Sequence, residues 1–194
     1  KKVIFIGCGS SLNIGLIISE IYNKFGYNTT AKSGGYVLKH SISSEYDLGI
    51  LITRTGYSTE TVKAAEILNE KNIKTVAITC DQNSDIVKVA DKAFTFDFAN
   101  EQSVVMTGSF TYILNFLLNN IEEKNISKTA IDVLESSKNY FDNIDLSKYN
   151  HFVYLGFEEE LYICKEGALK MQEMALENVE FHEPLEFRHG PKST

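Results

Sequence analysis

The feature that most constrains this chain is a three-part pattern near its start that returns further on. Val3-Ile4-Phe5-Ile6 is apolar at every position and runs into the polar turn Gly7-Cys8-Gly9-Ser10-Ser11. Beyond it Leu12, Leu16, Ile17, Ile21 and Phe25 recur at helical intervals. A run with no polar face predicts a strand covered on both sides, so strand, tight turn and helix follow in order. The order repeats with Leu48 to Ile52, a turn from Thr53 to Ser58, and a helix from Thr59 to Asn69 that turns Val62, Ala65, Ile67 and Leu68 inward. Thr75 to Ile78, a short helical stretch from Asp85 to Ala90, and Ala93 to Phe96 continue it, while Thr29 to Lys32, closed by Gly34-Gly35, is a weaker strand between the first two units. Strands alternating with helices predict an α/β fold, a three-layer αβα sandwich whose parallel, open, doubly wound sheet has flavodoxin-like strand order.

Two helical segments follow, from Val104 to Glu123 and from Ser127 to Asp145, the second polar enough to be a connector. Then the pattern restarts, with Phe152 to Leu155 as strand, a turn at Gly156, and a long helix from Leu161 to Glu177. From His151 to Thr194 there is far less chain than the roughly 100 residues a second sheet of this kind needs. The expected division is therefore a first domain over residues 1–147 and the beginning of a second over 148–194. That second piece is either truncated or packs on the first domain or on a neighbouring subunit. The chain begins at Lys1 rather than methionine, which fits a cut or incomplete sequence.

Nineteen basic against 26 acidic residues leave a net charge of -7, which excludes a broad basic face for nucleic acid. An anionic ligand must be held locally. No apolar run approaches the roughly 18 residues that span a bilayer, so no membrane partner is expected. Cys8, Cys80 and Cys164 are odd in number and lack metal-ligand spacing, which predicts reduced thiols and a cytoplasmic protein. No two histidines lie at i, i+4, and no metal site is expected.

In open α/β sheets, ligands sit beyond the carboxyl ends of the strands, where backbone N–H groups at helix N-termini carry partial positive charge. Two loops suit an anion there. Gly7 to Ser11 offers glycines for close backbone approach and the hydroxyls of Ser10 and Ser11; Thr53-Arg54-Thr55-Gly56-Tyr57-Ser58-Thr59 offers four hydroxyls, a guanidinium and a glycine. Neutral donors of this kind can hold a sugar phosphate without a charge cluster, although Ser and Thr also serve simply as helix caps. Neither loop is GxGxxG or a Walker loop, which disfavours dinucleotides and nucleoside triphosphates.

Further on, Glu166, Lys170, Glu173 and Glu177 are spaced by four, three and four residues and share one helix face. Such a stripe is also what a solvated face with internal ion pairs looks like. Here Glu186-Phe187-Arg188-His189-Gly190-Pro191-Lys192 follows it and adds a histidine in a glycine-proline turn. A carboxylate base and a histidine beside a sugar phosphate are the tools for moving a proton between adjacent carbons of an open-chain sugar.

Taken in order, these segments resemble the sugar isomerase (SIS) domain family, particularly its tagatose-6-phosphate isomerase, amino-sugar-phosphate deaminase and glucosamine-6-phosphate synthase branches. Gly7-Cys8-Gly9-Ser10-Ser11 is similar to the first phosphate loop, Thr53-Arg54-Thr55-Gly56-Tyr57-Ser58 to the second, and Ser103-Val104-Val105-Met106-Thr107 to the third pocket segment. The resemblance is most specific at Glu166-Gly167-Ala168-Leu169-Lys170-Met171-Gln172-Glu173 with His189-Gly190-Pro191. Pro184 to Ser193 looks more like the deaminase branch. The resemblance implies a hexose or hexosamine 6-phosphate ligand, held by Gly9, Ser10, Ser11, Thr53, Thr55 and Ser58, with Arg54, Val104 and Thr107 also in the pocket. It implies Glu173 as the base acting between C1 and C2, His189 as promoter of ring opening, and Glu166 and Lys170 as the rest of the polar site. It further implies a homodimer or larger assembly, no metal and no organic cofactor.

The sequence departs from the pattern in several places. Gly108 stands where a lysine is expected, and Tyr57 where an acidic residue is common. Three glutamates follow the second turn, Gly156-Phe157-Glu158-Glu159-Glu160, and would repel phosphate, so the ligand is expected in the first half only. The family's C-terminal catalytic lysine has no counterpart in this chain. A non-catalytic sugar-phosphate-binding regulator of the same fold is the rival reading.

Overall fold

A computed structural model of the chain describes residues 1–40, 42–121 and 127–193. The first strand and helix are β1 (Lys2–Gly7) and α1 (Ser10–Lys24), followed by β2 (Asn28–Ser33), α2 (Gly34–Lys39), β3 (Leu48–Ile52), α3 (Thr59–Glu70), β4 (Lys74–Thr79), α4 (Asp85–Val89) and β5 (Lys92–Thr95). All four pairings among these strands are parallel, in the order β2-β1-β3-β4-β5. This is the flavodoxin-like order read from the strand-turn-helix pattern.

Alternation along β1 divides the core in two. Ile4 and Ile6 face the layer of α2, α3 and α4 with Leu51, Ala64, Ala65 and Leu68, whereas Phe5 faces the opposite layer with Ile14, Ile18, Ile78 and Ile113. The chain passes from β1 to β2 on one side and then to β3 on the other, so the strand order reverses between β1 and β3. A crevice opens beyond the strand ends at such a reversal. The turns after β1 and β3 are the two glycine- and hydroxyl-rich loops, and topology alone puts them at its lips.

Several details differ from the sequence reading. On α1 Ile14 and Ile18 are fully buried against the sheet and Ile17 is buried outside both sheet clusters, while Leu12, Leu16 and Ile21 are half-buried and Phe25 is exposed. On α3 it is Thr61 and Ala64 that are buried with Ala65 and Leu68, and Val62 and Ile67 are only half-buried. Gly34-Gly35 follow directly on the end of β2 at Ser33, as expected, and also open α2, which Ser33 caps by accepting from Tyr36 N at 3.0 Å. The helix expected from Val104 starts later, as α5 (Gly108–Leu118), leaving 103–107 as irregular backbone; Glu122 and Glu123 lie outside the described residues. The connector is α6 (Ser127–Phe141).

The restart is present as β6 (His151–Leu155) and α7 (Glu159–Met174), shorter at its C-terminal end than the expected helix. Beyond it comes β7 (Asn178–His182), which the sequence reading did not anticipate, paired parallel to β6 in a separate two-stranded sheet. A short helix, α8 (Pro184–Phe187), leads into the turn that carries His189.

Helix α7 lies antiparallel along α1. Lys170 near its end meets Ser10 at the first residue of α1, while Lys24 at the end of α1 pairs with Glu158 and Glu159 at the start of α7. Ala168 is buried in this contact. The backbone of the two turns also matches: φ and ψ are 56° and -128° at Gly9, and 50° and -123° at Glu158. Glycine adopts that conformation freely and glutamate does so under strain.

Candidate active site

The cleft between the two loops is a hollow of about 220 Å³. Its floor is the first loop, with Cys8, Gly9, Ser10 and Ser11, and its second wall is Arg54, Thr55 and Ser58. Val104 and Met106 form the third wall, and Glu173 of α7 closes the mouth. Positive φ at Gly9 (56°) and Gly56 (74°) shapes the two turns. At Gly56 a Cβ would lie 1.9 Å from Ser84 Oγ, so the second loop can adopt this path only with glycine.

The N-cap of α1 is Gly9, which has no side chain, and Ser58 at the N-cap of α3 makes no side-chain cap hydrogen bond. The hydroxyls of the loops are thus not used as ordinary helix caps. Ser11 Oγ donates weakly to Met106 Sδ at 3.9 Å, and Ser58 Oγ accepts from Thr53 Oγ1 at 3.3 Å. Helix α1 has no acidic residue in its first turn, so its N-terminus keeps its positive end free of an internal carboxylate.

The third wall is tied down by two residues. Arg54 Nη1 donates to the carbonyls of Ser103 (2.8 Å) and Val105 (3.2 Å), and Nη2 to that of Val104 (3.4 Å). A planar fork with five donors is suited to gripping successive carbonyls in this way. Glu101 accepts from the backbone N–H groups of Thr107 (2.8 Å), Gly108 (3.1 Å) and Ser109 (3.1 Å), from Thr107 Oγ1 at 2.5 Å, and from Ser109 Oγ. Burial raises its pKa, but the Ser109 and Thr107 hydrogen bonds outweigh burial and bring it down to about 2. The N-terminus of α5 is therefore filled by the chain's own carboxylate, unlike that of α1.

Behind the mouth lies a chain of polar contacts on α7. Glu166 is only 6% exposed; Asn13 Nδ2 donates to its Oε2 at 2.8 Å, and its Oε1 is 3.3 Å from Lys170 Nζ. Lys170 Nζ also donates to Ser10 Oγ at 3.1 Å and to Glu173 Oε2 at 2.6 Å. The Glu173 side chain is 39% exposed and faces the cleft. One ammonium thus links a buried carboxylate, the first loop and a solvent-accessible carboxylate.

Of the residues singled out in the sequence, Gly9, Ser10, Ser11, Thr55, Ser58, Arg54, Val104 and Glu173 line the cleft, with Lys170 and Glu166 directly behind. Thr53 is buried instead, its hydroxyl accepting from Gly56 N at 3.2 Å to close its own loop. Thr107 turns to Glu101 rather than to the cleft. His189 is exposed on the turn after α8 and is not part of the cleft lining. His182 sits 2.7 Å from Glu180 and against the Phe187 ring. Cys8, Met106, Asn13 and Glu101 belong to the arrangement and were not selected from the sequence. Among the described residues no three His, Cys, Asp or Glu side chains converge as metal ligands would, and no helix is long and apolar enough to cross a membrane.

The fold is thus an α/β protein whose doubly wound parallel sheet has a small hydroxyl-lined cleft at its switch point, with Glu173 on its lining and a lysine bridging Glu173 to the buried Glu166. Residues 1–118 match the SIS domain family, and the chain belongs to that family. Among solved structures it is similar to a glucosamine-6-phosphate deaminase from Thermotoga maritima, with 34% identity and a TM-score of 0.86 over 99% of this chain and 64% of that one. A tagatose-6-phosphate ketose/aldose isomerase from Escherichia coli gives 25% identity and a TM-score of 0.81, over 99% of this chain and 58% of that one. Among curated proteins, a glutamine–fructose-6-phosphate aminotransferase (isomerizing) from Sulfurisphaera tokodaii is 27% identical over 206 residues, covering 100% of this chain and 34% of that protein. The chain spans about a third of the length of the curated relatives it matches.

Proposed function

We propose that this chain carries the substrate-binding and proton-transfer part of a sugar-phosphate isomerase or amino-sugar-phosphate deaminase acting on a hexosamine or ketose 6-phosphate. The observation that carries this reading is the placement of Glu173 at the mouth of the cleft, 2.6 Å from Lys170 and opposite the hydroxyls of Ser10, Ser11, Thr55 and Ser58. The two loops take the phosphate, with N–H groups at the start of α1 and neutral hydroxyls as donors. Glu173 then takes the C2 proton of the open-chain amino sugar. The electron pair moves into the C1–C2 bond as the C1 carbonyl oxygen gains a proton, which gives an enolamine. Return of a proton to C1 leaves an imine at C2, and water hydrolyses it to a ketose phosphate and ammonia. In a ketose–aldose interconversion the same base moves the proton through an enediol.

Lys170 offsets the charge of the base and ties it to the phosphate loop, and Glu166 anchors Lys170. The exposed position of His189, away from the cleft of its own chain, fits a role in ring opening at the cleft of a second copy in a homodimer or larger assembly. Within this reading residues 1–147 are one unit and 148–194 open a second. The test is to incubate the full-length protein with glucosamine-, galactosamine- and fructosamine-6-phosphates and with the unphosphorylated sugars, following ammonia and ketose products. Turnover of a phosphorylated sugar alone is the expected result. Binding without any turnover would assign the fold to a non-catalytic regulator instead.

A further inference from the structure

Asn13 stands at the start of α1, two residues beyond the first loop, and is 1% exposed. It is a primary amide in the contact between α1 and α7, where an aliphatic side chain would pack without any polar group to desolvate. Its Nδ2 donates to Glu166, whose other oxygen faces Lys170, and Lys170 in turn holds Ser10 and Glu173. With the amide bond in place, Glu166 offers Lys170 a single oxygen in a fixed direction. Without it, the buried carboxylate can turn both oxygens to the ammonium and draw it away from Ser10 and Glu173. The charged side chain placed against the Asn13–Glu166 pair is Lys170 on α7, which pairs in turn with Glu173, and Lys165 lines the small hollow beside Asn13.

We propose that Asn13 is the positioning residue of this site: by fixing Glu166 it fixes Lys170, and through Lys170 it holds the Glu173 carboxylate at the cleft. The inference deepens the functional reading above and rests on it for what Glu173 does; the claim about Lys170 stands apart from catalysis.

The test compares the full-length parent with Asn13→Leu and Asn13→Asp. Trace acetylation of Lys170 by acetic anhydride, read by mass spectrometry against surface lysines, is expected to be at least about threefold slower in Asn13→Leu, because both oxygens of the buried Glu166 then hold the ammonium away from the cleft. Equal reactivity overturns the proposal whether or not the protein is active. On a substrate that the parent turns over, Asn13→Leu is expected to lose at least tenfold in kcat with KM within twofold. Asn13→Asp should approach parent kcat only at acid pH, where its protonated carboxyl donates as the amide does, and lose it as the pH rises and two carboxylates face each other. An Asn13→Asp profile parallel to the parent's, or an Asn13→Leu loss confined to KM or melting temperature, would reduce Asn13 to packing and overturn the proposal. If the parent turns over no sugar phosphate, the functional reading fails and the labelling result alone decides the positioning claim.

Discussion

Replacing Glu101 by glutamine probes how the third wall of the cleft is held. Three backbone N–H groups and two hydroxyls converge on the Glu101 carboxylate, with Arg54 Nη1 4.0 Å away. An amide of the same shape presents N–H groups to some of these donors and leaves them unpaired. The carboxyl is held at about 2 against an ordinary 4.5, the hydrogen bonds from Ser109 and Thr107 overcoming the opposing effect of burial. At about 1.4 kcal/mol per tenfold change in proton affinity, that preference for the charged form is worth roughly 3 kcal/mol at neutral pH. Partial exposure and salt screening reduce it to about 2 kcal/mol, or a fall of about 4–8 °C in melting temperature for a chain of this size. The group's pKa is lowered on folding, so the contribution is whole above about 4.5 and is lost as the pH falls toward about 2. Thermal melts followed by far-ultraviolet circular dichroism should therefore show Glu101→Gln melting lower at pH 7, with the gap closing between about pH 4.5 and 2. Equal melting temperatures at pH 7, or a gap equally wide at both ends of that range, would refute the account of this loop.

Three further substitutions test other parts of the arrangement. Ser11→Ala combined with Thr55→Ala should weaken sugar-phosphate binding by more than about 1 kcal/mol, since hydrogen bonds to charged groups are worth roughly 1.5–3 each; isothermal titration checks this, and unchanged affinity counts against the loop assignment. Gly56→Ala would force a Cβ to within 1.9 Å of Ser84 Oγ at φ 74°, and should cost at least about 2–3 kcal/mol in chemical denaturation. Glu158→Gly relieves a strained backbone at φ 50° but gives up an exposed ion pair with Lys24. Relief of roughly 1–2 kcal/mol against a surface pair worth at most about 1 and a similar entropic cost of glycine predicts a midpoint within about 1 kcal/mol of the parent, not a large loss.

The sheet was legible because the runs at Val3 to Ile6 and Leu48 to Ile52 have no polar face, and both loops because glycine and hydroxyl residues follow those runs directly. Side-chain direction was not legible. Thr53 and Thr107 look like cleft hydroxyls in the sequence, yet one closes its own turn and the other feeds Glu101. On α1 the sheet occupies one side and α7 another, so apolar residues cover more than one stripe and spacing alone cannot say which stripe faces the sheet. Strand β7, Asn-Val-Glu-Phe-His, has only one buried apolar residue, Val179, and is defined by its pairing with β6. Asn13 and Glu101 give no periodic signal at all. Asn13 acquires its meaning from a contact with Glu166 that only the docking of α7 on α1 creates.

The most direct test of the central claim is solvent-deuterium exchange at C2 of a hexosamine 6-phosphate, followed by proton NMR with the full-length protein and with Glu173→Gln. The placement of Glu173 in the same cleft as the two hydroxyl-bearing loops predicts exchange by the parent and a loss of at least about 100-fold in the variant, within the range general acid–base groups contribute, with sugar-phosphate affinity retained. Exchange at parental rate in Glu173→Gln, or a parent that binds the sugar phosphate and never exchanges its proton, would contradict the assignment of Glu173 as the base.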